Sequence, residues 1–335
     1  MINRLKPYLR YVIVTATLLF VGKSFWTHWQ DVVKIQINAS GWGFFAIAFV
    51  VTCISFVWAG WVWLLILKEF QQKANIFWAL RIFLITNLGK YLPGNIWQFY
   101  GRIISSIDVG ISPSAAIISV LLEPLLMAAD GLLLAVLGSS LENRWLVGLG
   151  LVCILIAIHP RILNKVLQRL AKTKLSKKSL RKTHELVTDN SPLESRDNFS
   201  DRLSGIGDTE WQKTTIEITR YPLLPLLGEM GFIVLRGSGF LLTVYALTPV
   251  SWVDIPQLLS AFSFAYVLGL VVPGAPGGLG VFEATAIALL SHRFAPAVLI
   301  SAVAFYRVIS ILAEVSGAGV GWISKPEKSS VKNID

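Results

Sequence analysis

Leu270-Val271-Val272-Pro273-Gly274-Ala275-Pro276-Gly277-Gly278-Leu279-Gly280-Val281-Phe282-Glu283 is a helix-breaking run set between two apolar segments. Nothing in the packing of a water-soluble core calls for it. A second break lies in the first half, at Asn87-Leu88-Gly89-Lys90-Tyr91-Leu92-Pro93-Gly94-Asn95-Ile96-Trp97-Gln98, where Pro93-Gly94 interrupts stretches that read as helical. Irregular backbone in a bilayer strands N–H and C=O groups, so it survives only where protein or a water-filled cavity satisfies them. One such break in each half is a sequence pointer to a transporter.

The chain has 335 residues, of which 54% are hydrophobic and 15% charged, with twelve tryptophans. Its apolar residues come in blocks of membrane-spanning length, which predicts an all-α polytopic bundle forming a single integral membrane domain over 1–335. The net charge of +10 resides in Lys and Arg between the blocks, where orientation signals belong, and this distribution excludes nucleic acid as a partner. Cys53 and Cys153 each fall inside an apolar block and are expected to be small buried hydrophobes. No His or Cys cluster has metal-ligand spacing, so neither a metal site nor another cofactor is expected.

Arg4, Lys6 and Arg10 precede the first block, about 8–29, and place the N-terminus in the cytoplasm; Lys23 and Phe25-Trp26 stand where a signal peptide would need small residues. A second block, 44–67, returns inward, with Trp58, Trp61 and Trp63 as expected interface anchors. The segment 76–109 holds the first break, and blocks at 112–137 and 145–158 follow. Between Arg161 and Lys182 stand nine Lys or Arg and no acid, so 160–215 reads as a basic cytoplasmic loop, a solvated linker or an anionic-lipid contact. The Asn198-Phe199-Ser200 sequon within it faces the wrong compartment for glycosylation.

Parity then constrains the topology. With 74 and 160 both inside, 76–109 begins and ends inside, and its short arms predict a re-entrant hairpin. Beyond the loop, 216–247 runs outward, 255–291 starts and ends outside as a second hairpin, and 295–323 returns to a cytoplasmic tail, 324–335, with Lys325 and Lys328. Span, hairpin and span thus recur with opposite orientation in a first half, 1–159, and a second half, 216–323, the inverted-repeat pattern that places a site near the bilayer midplane.

The second arm of each hairpin begins with similar spacing, Asn95 with Gln98 and Gly280 with Glu283, that of an N-cap and its third-residue partner. Helix N-termini near mid-membrane favour a phosphate or carboxylate, although the same residues also serve as simple caps. Ionisable residues inside spans are costly and face partners or water-filled paths. Glu123 and Asp130, Glu229 and Arg236, and Arg307 and Glu314 are each seven apart, which puts each pair on one helix face. Ion pairing within the bundle is the expected role of Glu229, Arg236 and Glu314. Arg102, seven residues beyond Asn95, is read with Lys90 and Arg307 as a receptor for an anionic headgroup, balanced by Glu123 and Glu283 when no headgroup is bound. Gly274, Gly277, Gly278 and Gly280, with the Pro93-Gly94 break, allow close backbone approach to it.

No enzyme motif stands: Gly22-Lys23-Ser24 lacks the upstream glycine of a phosphate-binding loop, and Ser179 to Lys182 matches Ser-x-x-Lys only in a linker. The expectation is therefore not an enzyme. Two other readings stay open, an intramembrane enzyme acting on a lipid-linked phosphate through Glu123, Asp130 or Glu283, and a non-transporting scaffold of a lipid or glycan synthesis complex.

Gly89-Lys90-Tyr91-Leu92-Pro93-Gly94 followed by Arg102, and Pro276-Gly277-Gly278-Leu279-Gly280-Val281-Phe282-Glu283 followed by Tyr306-Arg307, resemble the transmembrane region of the lysylphosphatidylglycerol synthases, a flippase-like family of bacterial and archaeal membrane proteins. The resemblance covers about 10–323, with the basic loop as an insertion. It implies a protein of the prokaryotic cell membrane that moves an anionic or aminoacylated phospholipid, or a polyprenyl-phosphate-linked lipid, between leaflets, alone, as a homo-oligomer or with synthesis partners. It does not imply synthesis, since no counterpart of the aminoacyl-transferase domain of the bifunctional synthases is expected here. Where many relatives carry Gly-Glu after the first Pro-Gly, this chain has Trp97-Gln98 and one negative charge fewer.

Overall fold

Asn38 starts the first described helix by accepting the Gly41 N–H at 2.8 Å, which satisfies one of the donors a helix start leaves unpaired. The computed structural model describes residues 37–91, 96–138, 144–165, 220–272 and 276–324. The expected first span, the basic loop beyond Lys165, the C-terminal lysines, and Pro93, Gly94, Asn95 and Gly274 at the two breaks lie outside the described residues.

α1 (Ala39–Glu69) has 31 residues and overruns the block expected from hydropathy at both ends. α2 (Ile76–Asn87) opens on Asn75, whose side chain accepts the Phe77 N–H, and gives way to a 3₁₀ turn, Leu88–Tyr91. α3 (Trp97–Asp108) follows the first break. At 12 residues each, α2 and α3 reach only about 18 Å, well short of a hydrocarbon core of about 30 Å. α4 (Pro113–Gly138) and α5 (Arg144–Ile158) complete the first half. In the second half come α6 (Leu223–Leu247), α7 (Asp254–Val271), a 3₁₀ turn at Pro276–Gly278, α8 (Val281–Leu290) and α9 (Pro296–Ile323). Among the described residues α1, α4, α6, α7 and α9 are long and apolar enough to cross a membrane. The two arms around the second break are unequal, 18 residues in α7 and 10 in α8.

The halves interlock rather than sit side by side: α1 lies along α6, α4 along α7, and α2 along α9. The α1–α6 pair is antiparallel, because Gly41 meets Ala246, Thr52 meets Gly239, and Val62 meets Gly228. Small residues set these approaches. A Cβ on Gly138 would lie 2.3 Å from the Pro256 carbonyl oxygen, and one on Gly131 2.4 Å from Val267, so α4 and α7 touch nearly backbone to backbone. There Ser260 donates its hydroxyl to the Ala135 carbonyl at 2.8 Å.

Two expectations change. Trp63 is not an interface anchor; it is fully buried, and its Nε1–H donates to Ser119 Oγ at 3.2 Å. Trp58 ties α1 to α6 by donating to the Gly228 carbonyl at 2.7 Å, a partner that only a side chain facing the bundle reaches. Cys153 is exposed on α5 instead of buried, because α5 packs on α4 alone among the well-contacted helices and leaves its other faces outward. Cys53 is half-buried, and neither cysteine is in a disulfide.

Candidate functional site: a charged cavity where the two breaks meet

The two 3₁₀ turns touch. A Cβ on Gly277, which sits at φ 59°, would come within 2.9 Å of the Tyr91 ring, and Gly278, at φ 72°, lies against the backbone of Gly269 on α7. Both glycines hold a left-handed conformation that side chains resist, and both lie where another element passes closely. On the other side Gly89 abuts Gln98, with a built Cβ only 2.6 Å from the Gln98 nitrogen. Below this junction is a cavity of about 110 Å³, enough for several waters, with walls from both halves.

Its charged lining falls into pairs. Lys90, on the first 3₁₀ turn, donates to Glu314 Oε1 of α9 at 2.7 Å. Arg102 of α3 meets Glu123 Oε2 of α4 at 2.5 Å and lays its guanidinium over the Phe83 ring at 3.9 Å. Arg307 of α9 donates from Nε to Glu283 Oε1 at 2.7 Å and from Nη1 to the Gly277 carbonyl at 3.1 Å. That last bond ties the second break directly to a charged side chain. Glu283 also accepts the Gly280 N–H at 2.6 Å; since Gly280 has no side chain, this is one half of a capping box. Among the described residues the first hairpin shows no such bond. α3 starts at Trp97 with Ile96 as its cap residue and no side-chain bond to it, while Gln98 is buried against the cavity.

Polarity reverses between the halves. At the first break the short helix supplies the cation and the long one the acid; at the second the short helix supplies Glu283 and the long one Arg307. In each case two charges removed from water need each other, and deleting one partner of a buried pair typically costs about 3–5 kcal/mol.

Of the residues singled out by sequence, Lys90, Gln98, Arg102, Glu123, Gly277, Gly278 and Arg307 line the cavity. Glu283 stands behind Arg307, and Gly280 starts α8. Arg236 and Glu314, expected only to pair within the bundle, Tyr306, named only in the family motif, and Phe56, which sequence reasoning passed over, line it as well. Sequence reasoning assigned Glu229 and Arg236 to ion pairing, and the structure corrects that: neither makes an ion pair among the described residues, since the helices packed on α6 bring no opposite charge within ion-pairing reach of either side chain there. Glu314 does pair, with Lys90 from the other half of the chain. Arg236 lies between the Phe56 and Tyr306 rings, at 4.8 and 5.4 Å from their centroids, and its backbone carbonyl accepts the Tyr306 hydroxyl at 3.1 Å. A cluster of aromatic rings, Phe240, Phe262, Phe282 and Tyr306, edge to face or offset, holds that wall. The only sequence signal for Arg236 is a lone cation in an apolar span, which by itself does not name its surroundings.

All-helical architecture, several spanning helices and a charged internal cavity together define a multi-pass membrane protein. The particular lineage follows from comparison: the chain matches the family described as Lysylphosphatidylglycerol synthase TM region over residues 9–315 and belongs to it. No curated protein matches it.

Proposed function

We propose that the protein is a flippase or scramblase-like lipid transporter of the cell membrane, with both termini cytoplasmic, moving an anionic or aminoacylated phospholipid or a polyprenyl-phosphate-linked lipid between leaflets. The observation that carries this reading is the cavity itself. Three ion pairs and the tips of two broken helices converge on one cavity inside a predominantly apolar bundle, where charges are expensive and usually face partners or a water-filled path. Apolar walls from Met127, Phe232 and Leu270 border the charges, which suits an amphiphile whose headgroup enters while its tails stay in lipid.

The packing supports the inverted-repeat reading. Exchanging α1–α4 with α6–α9 turns the α4–α7 contact into α9–α2, turns α3–α4 into α8–α9, and leaves α1–α6 and the meeting of the two 3₁₀ turns unchanged. Antiparallel α1 and α6, the corresponding spans of the two halves, agree with opposite orientation. The shortness of α2, α3 and α8 supports re-entrant hairpins.

The test is lipid movement in reconstituted vesicles. Fluorescent phosphatidylglycerol in the inner leaflet becomes accessible to an external quencher only if it crosses. We expect protein-dependent crossing that falls at least tenfold in the charge-neutral pair variant Glu283→Gln with Arg307→Gln. Crossing at the rate of protein-free vesicles would sink the reading.

A further inference from the structure

A second set of acids lies beside the Arg102–Glu123 pair. Glu229 of α6 is fully buried, and neither of its carboxylate oxygens has a hydrogen-bond partner among the described residues. Asp130 of α4 is 2% exposed and leaves Oδ2 equally unbonded. Glu123 and Asp130 share one face of α4, and the charges of both, with that of Arg102, act on Glu229. The polar groups that the neighbouring helices bring to this place are engaged elsewhere. Arg102 of α3 gives Nη1 to Glu123. Tyr266 of α7, near Glu229, donates its hydroxyl to the Met127 sulfur at 3.9 Å, and Tyr221, near Asp130, donates to the Leu155 carbonyl at 3.4 Å. Trp58 of α1 donates to the Gly228 carbonyl. α9 presents Tyr306 and Glu314 to Arg236, about two turns further along α6.

We infer that Glu229 is a proton-binding site and that its proton is the coupling ion of lipid movement, its loss drawing Arg102 from Glu123 towards Glu229. This rests on the transport reading and names the ion exchanged. A buried carboxyl with neither a donor nor a bonded cation is tolerated in such a medium as the neutral acid. Here Glu123, Asp130 and Glu229 share the guanidinium of Arg102, and Glu123 holds it. A metal cation needs several oxygens that converge, and among the described residues no group of three or more His, Cys, Asp or Glu side chains is placed to hold one. A proton needs one oxygen. When the O–H bond of Glu229 breaks, the proton passes to water in the cavity by way of Glu123, which lines it, and the new carboxylate competes with Glu123 for Arg102. Arg102 is carried by α3, the short helix after the first break, and bonds Thr86 of α2 at 3.3 Å. A change of its partner therefore moves a wall of the cavity.

Two measurements on the full-length protein test this. Infrared spectroscopy in detergent should show the carbonyl stretch of a neutral carboxylic acid that disappears at high pH and is missing in Glu229→Gln. Asp254→Asn, far from this set and bonded to Arg293, should leave the band unchanged. In vesicles, an imposed proton gradient should change the rate of phosphatidylglycerol crossing severalfold in wild type and in Asp254→Asn, and not at all in Glu229→Gln, which mimics the neutral acid. Should Glu229→Gln fail to fold, an apolar carbodiimide, which reacts with protonated carboxyls inside membranes, is applied to wild type and read peptide by peptide. Glu229 should be labelled, and the label should fall severalfold as pH rises. A band that survives in Glu229→Gln, or a Glu229 that takes no label, overturns the proton site. Crossing that ignores a proton gradient while the band is present overturns the coupling, and crossing driven by a sodium gradient instead overturns the choice of ion. Wild-type protein that moves no lipid under any gradient counts against the transport reading, and the band and the label then still decide the proton site.

Discussion

Lys90 and Glu314 meet at 2.7 Å although 224 residues separate them. One belongs to the turn that ends the first broken helix and the other to the last long helix, so the pair fastens the two halves at the cavity. Glu314 is almost fully shielded, and Lys90 lies over the Phe56 and Tyr91 rings. Glu314→Gln should therefore destabilise the protein by about 3–5 kcal/mol, while Lys90→Met combined with Glu314→Met should recover most of that loss. Chemical unfolding in detergent checks it, and additive single effects would show that the pair carries no coupling.

Arg102 behaves differently from a surface-lining receptor. Its burial against Glu123 and Phe83 means that Arg102→Ala strands a carboxylate in the bundle. We expect a fold defect of about 3 kcal/mol or more, so loss of transport in that variant does not by itself report on substrate. Arg102→Lys should rescue little, because an ammonium cannot stack on the ring while reaching both Glu123 and Thr86 as the guanidinium does. Thermal stability of wild type and the two variants in one detergent is the measurement, and a wild-type midpoint for Arg102→Ala would contradict the pairing.

Gly278→Ala tests the second break. At φ 72°, with Gly269 backbone 3.1 Å from the new Cβ, alanine is both strained and crowded, at a cost of about 1–3 kcal/mol. Gly89→Ala should be at least as harmful, since the atom it meets is the backbone nitrogen of Gln98 at 2.6 Å. Gly43→Ala, where a Cβ meets nothing within 4 Å, serves as the control. Stability measured by unfolding should rank the control above both.

Gly138→Leu should part α4 from α7. The closest atom to a Cβ there is a carbonyl oxygen at 2.3 Å, which cannot move without its helix. We expect the Ser260 to Ala135 hydrogen bond to be lost with it, and a cysteine introduced at Ala135 to become reactive to a thiol reagent. Unchanged protection would mean that the contact is looser than this packing.

How much of this was legible from sequence depends on range. The Pro273 to Glu283 run announced a broken helix because proline and glycine fix local backbone options wherever they stand. Hydropathy placed α4 and α9 within a residue or two, since about twenty apolar residues cross a bilayer in any fold. It misjudged Trp63 and Cys153, whose exposure depends on which helix lies beside them. The capping bond from Gly280 to Glu283 spans three residues and was foreseen from spacing; Asn95 lies outside the described residues.

Sequence by itself determined the membrane class, the broken helices, the family and the identity of most charges, because each depends on composition or on neighbours a turn or two away. Only the tertiary structure decided which charges meet. Lys90 with Glu314, Arg102 with Glu123 and Arg307 with Glu283 are joined across different helices, and spacing along one helix says nothing about a partner on another. The same holds for Arg236. Its difference from the other cations is the absence of a bonded acid among the described residues, a property that exists only once all the helices are packed.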